Sequence, residues 1–514
     1  MTILYYKIII FVLCFVSSSF GANVLIIFSQ PAKSHYILGN GLATGLAKRG
    51  FNVTIVSPFE EKHPPENYHQ IVLDGVVEKM EENLIKGNFN VFEFGDTSPM
   101  LQSLILNTMS TEFANQFFAH QKVQNLLKSE EHFDVVVIEQ FLNDATKIFA
   151  HHFKAPLIIA SSLGPNIWVN DLVANPEPPA YVPNVFLNFN DEMGFTERLY
   201  NFLFGIFCQL NTHFVVYPTQ SKILKKYYPI GPDLDGIIYN VSLVFLNSHE
   251  SINEPVPIVP NMVHIGGYHV TPPKKLPKDL QHFLDNSKEG AIYFSLGSNV
   301  IPSQMPNATR DAILKVLGSR KEKILWKWDQ DSLPNQPPNF KLSKWFPQQD
   351  LLAHPNIKLF ITHCGLLSTT ETIYHGVPIL GFPVFGDQKL NAARAATLGI
   401  GKFIDFSKIN ENNLEEALNE VLDNPKYLQN AKYRSQLMHD RPVKPMDLAA
   451  YWVDYVIRHK GAPHLRVAGV KLPLYKYLML DVLAAIFASI FTLFYLVYRI
   501  VKYCRAPSVK EKQH

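Results

Sequence analysis

The chain has few cysteines, which limits the covalent cross-links that can stabilise it. Four cysteines occur in 514 residues. Cys14 lies in an apolar run near the amino terminus, and Cys504 follows a second apolar run near the carboxyl terminus. Only Cys208 and Cys364 remain for the body of the protein. A framework of several disulfides is therefore excluded, and a single bridge between these two residues stays open.

The chain also has no excess of charge of either sign. Lysine and arginine number 47, aspartate and glutamate number 45, and the net charge is +2. This balance gives no basic field for a nucleic-acid backbone, so no nucleic-acid partner is expected. No internal repeat or low-complexity tract is evident in the sequence. The length and the hydrophobic content of 47% are sufficient for two large domains with buried cores.

Residues 1–21 have the features of a secretory signal peptide. Lys7 precedes an apolar run over residues 8–16, and the small residues Ser19 and Gly21 stand before the predicted cleavage point. The apolar run is short for a retained membrane anchor. The sequence therefore predicts entry into the secretory pathway.

A second apolar run, residues 482–498, is just long enough to cross a bilayer. We predict a transmembrane helix over residues 481–500. The positive-inside rule places the tail, residues 501–514, in the cytosol and residues 22–480 on the opposite side, as in a single-pass type I protein. The basic residues that orient the helix are Arg499, Lys502 and Arg505.

The carboxyl terminus suggests a compartment. Lys510 and Lys512 lie five and three residues from the end, which resembles the dilysine signal that returns type I membrane proteins to the endoplasmic reticulum. We therefore predict an endoplasmic reticulum membrane protein with luminal domains. Three N-x-S/T sequons fit a luminal chain and are candidate glycosylation sites: Asn52, Asn240 and Asn307.

The order of apolar runs predicts an α/β fold. A strand over residues 23–28 is followed by a loop, a helix-like segment and a second strand over residues 51–56, which is the β-α-β order of a doubly wound sheet. Further apolar strands lie at residues 135–138 and 157–159. The glycines of the first helix lack dinucleotide-binding spacing and are expected to let it pack closely on the sheet; they are Gly39, Gly41 and Gly45.

A proline- and charge-rich segment, residues 271–287, is predicted to link two similar domains. The first domain would span residues 22–270. A new apolar strand over residues 291–296 would open the second domain, residues 288–445. Residues 446–480 would contain a further helix and the membrane-proximal segment.

The stretch from residue 360 to residue 388 indicates a ligand. A buried strand runs into a polar, glycine-containing turn and then into a helix-like segment. A helix that begins at the end of a strand offers unpaired N–H groups and a positive dipole end, where phosphate oxygens bind well. The polar side chains suit a sugar nucleotide: His363 and Ser368 for a diphosphate, Glu371 for a ribose hydroxyl, and Asp387 and Gln388 for sugar hydroxyls.

This stretch resembles the sequence that marks the UDP-glycosyltransferase family. The resemblance extends over nearly the whole chain. It implies the GT-B fold, in which two Rossmann-like domains face each other across a cleft, with a helix of residues 446–480 crossing back onto the first domain. The matching positions are Thr362, His363, Gly365, Ser368, Glu371, Pro378, Pro383, Asp387 and Gln388.

One position of this stretch departs from the family. The family usually has His-Gly-Gly, whereas this chain has His363, Cys364 and Gly365. We expect Cys364 to add a side chain near the phosphates, where glycine would allow a close backbone approach.

Two further segments fit the same family. Trp345 and Gln348 match its Trp-x-Pro-Gln turn, in which an indole gives a flat face for uracil and the glutamine reaches the ribose. Gly297 and Ser298 follow the strand over residues 291–296 and resemble another phosphate contact. The resemblance implies no metal and no cofactor, because the UDP-sugar is a co-substrate. The Asp-x-Asp pairs are interpreted as solvated turns: Asp233 with Asp235, and Asp329 with Asp331.

His35 is the candidate catalytic base. It lies after the first strand, at the carboxyl edge where ligands bind open α/β sheets. An imidazole titrates near physiological pH, which suits removal of a proton from a hydroxyl, and the position matches the catalytic histidine of the family. The orienting acid is Glu139 or Asp144; we prefer Asp144, since the shorter carboxylate is the usual partner in such triads.

These features predict transfer of a hexose from a UDP-sugar to a hydroxyl of a small lipophilic acceptor, with inversion at the anomeric carbon. Glucose is preferred over glucuronate, because residues 366–388 resemble insect-type members of the family. A UDP-glucuronosyltransferase and a catalytically silent binding or oligomerisation partner of the same fold are the alternatives. The sequence leaves assembly as a homo- or hetero-oligomer open.

Overall fold

The structure, a computed structural model, describes residues 21–87 and 89–505. The predicted signal peptide with Cys14 and the dilysine-like tail lie outside the described residues, apart from Gly21. The chain divides into two compact units, Met1–Arg466 and Val467–His514. The larger unit contains two parallel sheets, and the described residues 467–505 of the smaller unit form helices and short turns.

The first sheet has seven parallel strands in the order β3-β2-β1-β4-β5-β6-β7. The strand order reverses between β1 and β4, which pair directly. In an open α/β sheet, such a switch point leaves a crevice at the carboxyl ends of the strands. The strands are β1 Asn23–Ile27, β2 Asn52–Ser57, β3 Tyr68–Val72, β4 Val135–Glu139, β5 Leu157–Ser161, β6 Val241–Leu246 and β7 Met262–His264.

The second sheet has six parallel strands in the order β10-β9-β8-β11-β12-β13. Its order reverses between β8 and β11, so it repeats the topology of the first sheet. Two parallel sheets with this strand order confirm the predicted GT-B architecture. The strands are β8 Ala291–Ser295, β9 Lys323–Lys327, β10 Phe340–Ser343, β11 Ile357–Thr362, β12 Ile379–Gly381 and β13 Gly401–Phe403.

Helices connect and cover the strands. A π-helical turn, Thr212–Val216, joins α8 to α9. The α-helices are α1 Lys33–Ala47, α2 Val76–Lys86, α3 Val91–Gly95, α4 Pro99–Ala119, α5 Gln121–Lys128, α6 Ile148–His152, α7 Ile167–Val173, α8 Phe195–Asn211, α9 Tyr217–Tyr227, α10 Lys278–Asp285, α11 Asn307–Gly318, α12 Gln348–Leu352, α13 Leu366–His375, α14 Gln388–Thr397, α15 Glu411–Asp423, α16 Pro425–His439, α17 Pro445–Arg458, α18 Leu474–Tyr477 and α19 Leu480–Arg505. The 3₁₀ turns are Asp144–Lys147, Leu234–Gly236, Pro302–Gln304, Phe406–Lys408, Pro463–Leu465 and Ala468–Lys471.

Close packing of α1 explains two of its glycines. A Cβ at Gly39 would lie 2.5 Å from the Phe28 ring, and one at Gly45 would overlap the Met446 side chain. The helix therefore approaches the sheet on one side and α17 on the other, where no side chain larger than hydrogen fits. This agrees with the packing role predicted for these glycines.

The predicted linker is only partly extended. Within residues 271–287, α10 forms a helix whose Leu280 and Leu284 pack in one core of the second sheet, with Tyr293 and Phe360. The connection between the sheets is therefore shorter than the composition predicts, because two apolar residues four positions apart give the segment a buried helical face.

The core of each sheet also contains side chains from a helix of the other half of the chain. Val91 and Phe92 of α3, which precede β4, are buried in the main core of the second sheet. Met446, Ala449 and Val453 of α17, which follow β13, are buried in the core of the first sheet. The two halves are thus joined by packed helices as well as by the connection at residues 265–277.

The two cysteines that could have formed a bridge are both free. Cys208 lies in α8 and Cys364 follows β11, and both are buried. The described part of the chain therefore contains no disulfide, and the alternative left open by the cysteine count is settled.

The smaller unit carries the predicted span. The helix α19 covers residues 480–505, longer than the predicted 481–500, and its side chains are exposed throughout. By length and composition it can cross a bilayer, and the stretch Phe195–Tyr227 of the larger unit passes the same test. Phe204 and Cys208 of that stretch are buried in the larger unit, so α19 is the better candidate for a membrane helix.

Candidate functional site

A cleft of about 1400 Å³ is lined by the carboxyl ends of both sheets. Its lining includes His35, which follows β1, and His363, which follows β11. Each histidine thus lies at the switch point of its own sheet, where ligands of α/β proteins bind. The cleft is the candidate active site.

His35 and Glu139 form a buried pair on the first side of the cleft. His35 is in the first turn of α1, and Glu139 is the last residue of β4, the strand adjacent to β1. The imidazole Nδ1 lies 2.5 Å from Glu139 Oε1. The hydroxyl of Ser162 donates to the same oxygen, and Phe141 packs edge-on against the imidazole at 4.8 Å. These contacts fix the ring and leave Nε2 for the cleft.

The pair changes the acidity of the imidazole. Burial disfavours the charged form of His35, but the negative charge and hydrogen bond of Glu139 outweigh it, and Asp387 adds to the effect. The pKa of His35 is therefore raised above its ordinary value. A more basic imidazole is a stronger proton acceptor, and its charged form is stabilised once the proton arrives.

The expected partner of His35, Asp144, does not contact it. Asp144 lies in a buried 3₁₀ turn, where its carboxylate accepts hydrogen bonds from Lys147 at 2.5 Å and from Gln140 at 2.9 Å. The preference for Asp144 over Glu139 is corrected by this geometry. A residue at the end of β4 projects beside the end of β1, whereas Asp144 has already turned towards the helices behind the sheet.

The wall of the cleft around His35 is mostly apolar. It is formed by the loops and helices that follow β1, β2, β3, β4 and β5. A concave apolar surface with a few polar groups suits a small lipophilic molecule. The aromatic and aliphatic side chains in this wall include Phe59, Met80, Leu106, Phe113, Phe141 and Trp168.

The opposite wall contains the start of α13. Gly365 precedes this helix in an extended conformation, and among the described residues no side chain caps the helix. A Cβ at Gly365 would lie 2.6 Å from His363 Nε2, and a Cβ at Gly297 would overlap the same ring. The two glycines hold His363 against the helix start, so its imidazole and the free N–H groups can face one anion together.

Burial keeps the His363 imidazole neutral. Burial, assisted by the nearby Lys327 ammonium, lowers the pKa of His363 to about 3. Its Nδ1 is buried without a hydrogen-bond partner in the described ranges. A neutral imidazole can donate one hydrogen bond, which fits the predicted contact with a phosphate oxygen.

Cys364 does not line the cleft, contrary to expectation. Its backbone is left-handed, with φ of +62°, which explains why glycine is favoured at this position. Its side chain is buried among Ile373, Ile379 and Ala392 on the far side of the turn. The backbone therefore approaches the cleft as closely as a glycine would, and the cysteine affects the core instead.

Glu371 lies at the centre of a hydrogen-bond network. The Gln348 amide donates to Glu371 Oε2 at 2.6 Å and to Ser368 Oγ at 3.1 Å, and the Gln349 amide donates to Glu371 Oε1 at 3.1 Å. Burial raises the pKa of Glu371 to about 7, although both glutamines stabilise the ionised form. The three predicted residues Gln348, Ser368 and Glu371 are thus brought together.

Trp345 presents an open indole face. It follows β10 and is 54% exposed. The Lys327 ammonium lies 4.6 Å from the centre of its ring and donates to the carbonyl oxygen of Gly297 at 2.6 Å. Burial lowers the pKa of Lys327 to about 8. A flat aromatic surface beside a cation fits a base followed by a phosphate.

Asp387 precedes α14, Gln388 begins it, and both line the cleft. Asn391 donates to Asp387 at 2.8 Å, and burial raises the pKa of this carboxyl. Gln388 Oε1 accepts from the backbone N–H groups of Val384 and Phe385, so this side chain also shapes its own loop. Asp387 is close enough to influence the His35 pKa, which places the two halves of the site side by side.

The remaining predicted contact, Ser298, is exposed beside Gly297, and its hydroxyl contacts Asn299 at 3.4 Å. It lines the cleft with Asp329. Asp329 accepts two hydrogen bonds from Ser303, and Asp331 pairs with Lys344. The described residues contain no cluster of three or more His, Cys, Asp or Glu side chains that could hold a metal.

Three site residues were not predicted from the sequence: Ser162, Lys327 and Gln349. Ser162 follows β5 and Lys327 ends β9, so each lies at the carboxyl edge of a strand. That location is a usable signal in α/β folds. Gln349 directly follows the matched Gln348 and carries no separate signal.

The two parallel sheets and the cleft at their carboxyl ends define the GT-B class of glycosyltransferase fold. A sequence model of the family described as UDP-glucoronosyl and UDP-glucosyl transferase matches residues 32–514. This chain belongs to that family.

Several known proteins are similar over most of their length. UDP-glycosyltransferase UGT5 of Dactylopius coccus is 36% identical over 95% of this chain and 93% of its own. UDP-glucuronosyltransferase 2B15 of Rattus norvegicus is 35% identical over 70% of this chain and 68% of its own. A solved complex of a UDP-glucosyltransferase from Polygonum tinctorium shares the fold, with a TM-score of 0.57 and 16% identity over 85% of this chain and 99% of that chain.

Proposed function

We propose that this protein transfers glucose from UDP-glucose to a hydroxyl of a small lipophilic acceptor, with His35 as the general base. Membership of the family supports sugar transfer from a UDP-sugar. The observation that carries the catalytic proposal is the His35–Glu139 pair, which shares one cleft with the uncapped start of α13.

The mechanism follows from the two walls of the cleft. Glu139 accepts the Nδ1 proton of His35, so Nε2 is the basic nitrogen. Nε2 takes the proton of the acceptor hydroxyl as its oxygen forms a bond to the anomeric carbon. The bond from that carbon to the β-phosphate oxygen breaks, and UDP carries away the electron pair. One displacement inverts the anomeric configuration.

The second wall stabilises the leaving group. Negative charge grows on the diphosphate as the bond breaks, and the N–H groups that begin α13, with His363, are aimed at that position. Such preorganised donors lower the barrier by stabilising charge that develops in the transition state. Trp345 and Glu371 hold the uracil and ribose. Asp387 accepts from sugar hydroxyls, and the Gln388 amide nitrogen donates to them, because its oxygen is bonded to Val384 and Phe385.

The choice of glucose as donor is supported by the resemblance of residues 366–388 to insect-type members of the family. One relative, at 34% identity over 91% of this chain, is named UDP-glucosyltransferase 2 of Dactylopius coccus, whereas two relatives at 35% and 32% identity are named UDP-glucuronosyltransferases. An assay with UDP-glucose, UDP-glucuronate and UDP-N-acetylglucosamine against a panel of phenols and alcohols tests this choice. Highest turnover with UDP-glucuronate would reverse it.

We also propose an endoplasmic reticulum location with the cleft in the lumen. The support is the apolar helix α19, together with the predicted signal peptide, the basic residues after the span and the dilysine-like tail.

Replacing His35 with alanine tests the catalytic proposal. We expect the turnover number to fall by a factor of about 10³ or more, because the acceptor hydroxyl loses its proton acceptor. UDP affinity, measured by calorimetry, should stay within about twofold, since no UDP-holding residue changes. The exposed His132→Ala is the matched control. Turnover near the wild-type level in His35→Ala would end the assignment, and UDP binding without transfer by the wild type would indicate a silent binding partner.

A further inference from the structure

The first half of the chain reaches across the cleft to the loop that carries Asp387. Gln102, in the first turn of α4, is 2% exposed. Its amide nitrogen donates to the carbonyl oxygens of Gly95 at 3.2 Å and Thr97 at 3.0 Å. The amide oxygen accepts from the backbone N–H of Gly386 at 3.4 Å. Because both carbonyls require the nitrogen, the orientation of the amide is fixed and its oxygen must face Gly386.

A second hydrogen bond joins the same two segments, and its donor also lies in the second half of the chain. The Lys389 ammonium donates to the carbonyl oxygen of Gly95 at 3.0 Å. A Cβ at Gly95 would overlap the carbonyl oxygen of Val384. The backbones at Gly95 and Val384 are therefore in direct contact, and a charge-assisted hydrogen bond reinforces the contact.

The segment is also anchored by apolar packing. Phe94 lies against Phe385, with ring centres 5.7 Å apart, and Phe92 lies against Phe406 at 4.5 Å in the core of the second sheet. We name residues 89–102, with Phe89, α3 and the start of α4, the strap. Phe89, Val91 and Phe94 of the strap also line the cleft.

The strap therefore contacts both the cleft and the loop that contains Asp387. Its cleft-facing side chains help to form the apolar wall, and its polar groups hold the loop from Val384 to Gln388. That loop positions Asp387 and Gln388, which are assigned to sugar hydroxyls. Within the second half, the Gln388 side chain accepts hydrogen bonds from the backbone N–H groups of Val384 and Phe385. Gln102 of the strap accepts the hydrogen bond from the N–H of Gly386.

We propose that Gln102 is a positioning residue for the donor sugar. Through Gln102, the first half of the chain sets the affinity of the second half for a UDP-sugar and its preference among donor sugars. This rests on the proposed transfer from a UDP-sugar. UDP itself lacks the hexose, so its binding does not depend on the Asp387 loop. The proposal therefore separates the affinity for UDP from the affinity for the intact donor.

The test uses the full-length protein with Gln102→Met, which keeps the length of the side chain and removes its hydrogen bonds. Gln116→Met is the matched control, because Gln116 is a buried glutamine of the same helix whose amide donates to Glu112 within α4. Lys389→Met breaks the second bond from a partly exposed position and decides the matter if Gln102→Met does not fold.

We expect Gln102→Met and Lys389→Met each to raise the KM for UDP-glucose by about fivefold to tenfold, the size of one lost hydrogen bond at a held site. The Kd for UDP and the KM for the acceptor should stay within about twofold, and the ratio of turnover with UDP-glucose to that with UDP-N-acetylglucosamine should change. Gln116→Met should change none of these quantities.

Two results would overturn the proposal. Equal weakening of UDP and UDP-glucose binding would show a general structural role, and an unchanged KM for UDP-glucose in both variants would show no role at all. Failure of the wild type to transfer any sugar would instead reject the proposed function. Calorimetry with UDP and UDP-glucose, which needs no turnover, would still test the strap in that event.

Discussion

At the scale of single residues, the proposed proton transfer to His35 depends on the charge of Glu139. We predict that Glu139→Gln lowers kcat by about a hundredfold or more, because the imidazolium formed during proton transfer loses its stabilising charge. Loss of that charge also removes the main cause of the raised His35 pKa. The acidic limb of the pH–rate profile should therefore move to lower pH, which steady-state kinetics from pH 5 to pH 9 would detect.

Asp144→Asn is the contrasting variant. It leaves the buried Lys147 ammonium without its counter-charge, so we expect the free energy of unfolding to fall by about 3 kcal/mol. The kcat of the folded fraction should remain near wild type, since Asp144 does not contact His35. The two variants thus separate catalysis from stability, and a large kcat loss in Asp144→Asn alone would restore the original preference.

A second prediction at this scale concerns Glu371, whose pKa is raised to about 7 by burial. The ionised carboxylate is the better acceptor for ribose hydroxyls. Uridine affinity should therefore fall as the pH drops from 8 to 6, by up to about tenfold. Burial holds the pKa of the neighbouring His269 near 4, so His269 does not titrate in this range. Lys327, whose pKa is about 8, gains positive charge over the same range, so Lys327→Met is the background in which the Glu371 effect is measured alone. Uridine is the probe because it has no phosphate that titrates.

Gln349→Met should shift the pH dependence in a known direction. The Gln349 hydrogen bond stabilises the ionised form of Glu371 and lowers its pKa. Removing that bond should raise the pKa, so the loss of uridine affinity should begin at a higher pH than in the wild type. Calorimetric titrations at several pH values would show the shift, and the exposed Gln436→Met should show none.

The sequence alone identified polar residues on both walls of the cleft but not the contacts that they make. His35 and His363 were predicted because each follows the end of a strand, which a linear pattern reveals, and Glu371 because it lies in the family-like stretch on the helix that follows. The Glu139–His35 contact joins residues 104 positions apart, and only the adjacency of β1 and β4 brings them together. Side-chain length was the only sequence criterion for choosing the acid, and it selected Asp144 wrongly.

At the scale of elements, the turn between β11 and α13 contains two small residues, Cys364 and Gly365, that face different sides of the turn. Gly365 faces His363 in the cleft, and Cys364 faces the core. We predict that Gly365→Ala weakens UDP binding by about tenfold or more, because its Cβ would displace the His363 ring or close the helix start. The fold should persist, since the backbone at Gly365 has a φ of −60°, which alanine adopts easily.

Cys364→Ala is the matched neighbour. It removes a buried sulfur, so the free energy of unfolding should fall by about 1–2 kcal/mol. UDP affinity should stay within about twofold, because the side chain lies behind the turn. Binding by calorimetry and stability by urea titration measure both quantities for the pair of variants. A weaker UDP affinity in Cys364→Ala than in Gly365→Ala would contradict this division.

Elements were predicted more accurately than their contacts. The strands that begin near residues 23, 51, 135 and 291 were evident from short apolar runs, which buried parallel strands produce. The helix α10 inside the predicted linker was not predicted. The segment is rich in proline and charge, and only two apolar residues, four positions apart, indicate its buried face. The burial of α3 in the other sheet is a long-range contact with no local pattern.

At the scale of the whole molecule, removal of residues 467–514 tests the membrane prediction. Every residue that lines the cleft lies before residue 389, so UDP affinity should be unchanged. The truncated chain should leave the membrane fraction, because α19 is removed. Fractionation by centrifugation measures this. Continued sedimentation with membranes would assign the attachment to the exposed apolar side chains of α8, such as Phe195 and Phe202.

Topology can be tested by glycosylation. Asn240 and Asn307 are exposed, whereas the amide of Asn52 donates to Asn23 at 2.7 Å within the first sheet. If the cleft is luminal, we expect glycans on Asn240 and Asn307 and none on Asn52. Single Asn→Gln variants, compared on gels before and after glycosidase treatment, give the answer. A chain without any glycan would argue for the opposite orientation.

The burial of α3 in the second core has a consequence for recombining this enzyme with its relatives. A hybrid joined within residues 271–287 would combine α3 from one parent with the core around Phe406 from the other. If the side chains of α3 and of that core differ in volume from their original partners, the loop that contains Asp387 would be held less firmly, even if both parents were active. Hybrids designed to exchange acceptor range should therefore inherit residues 89–102 from the parent that supplies the carboxyl half.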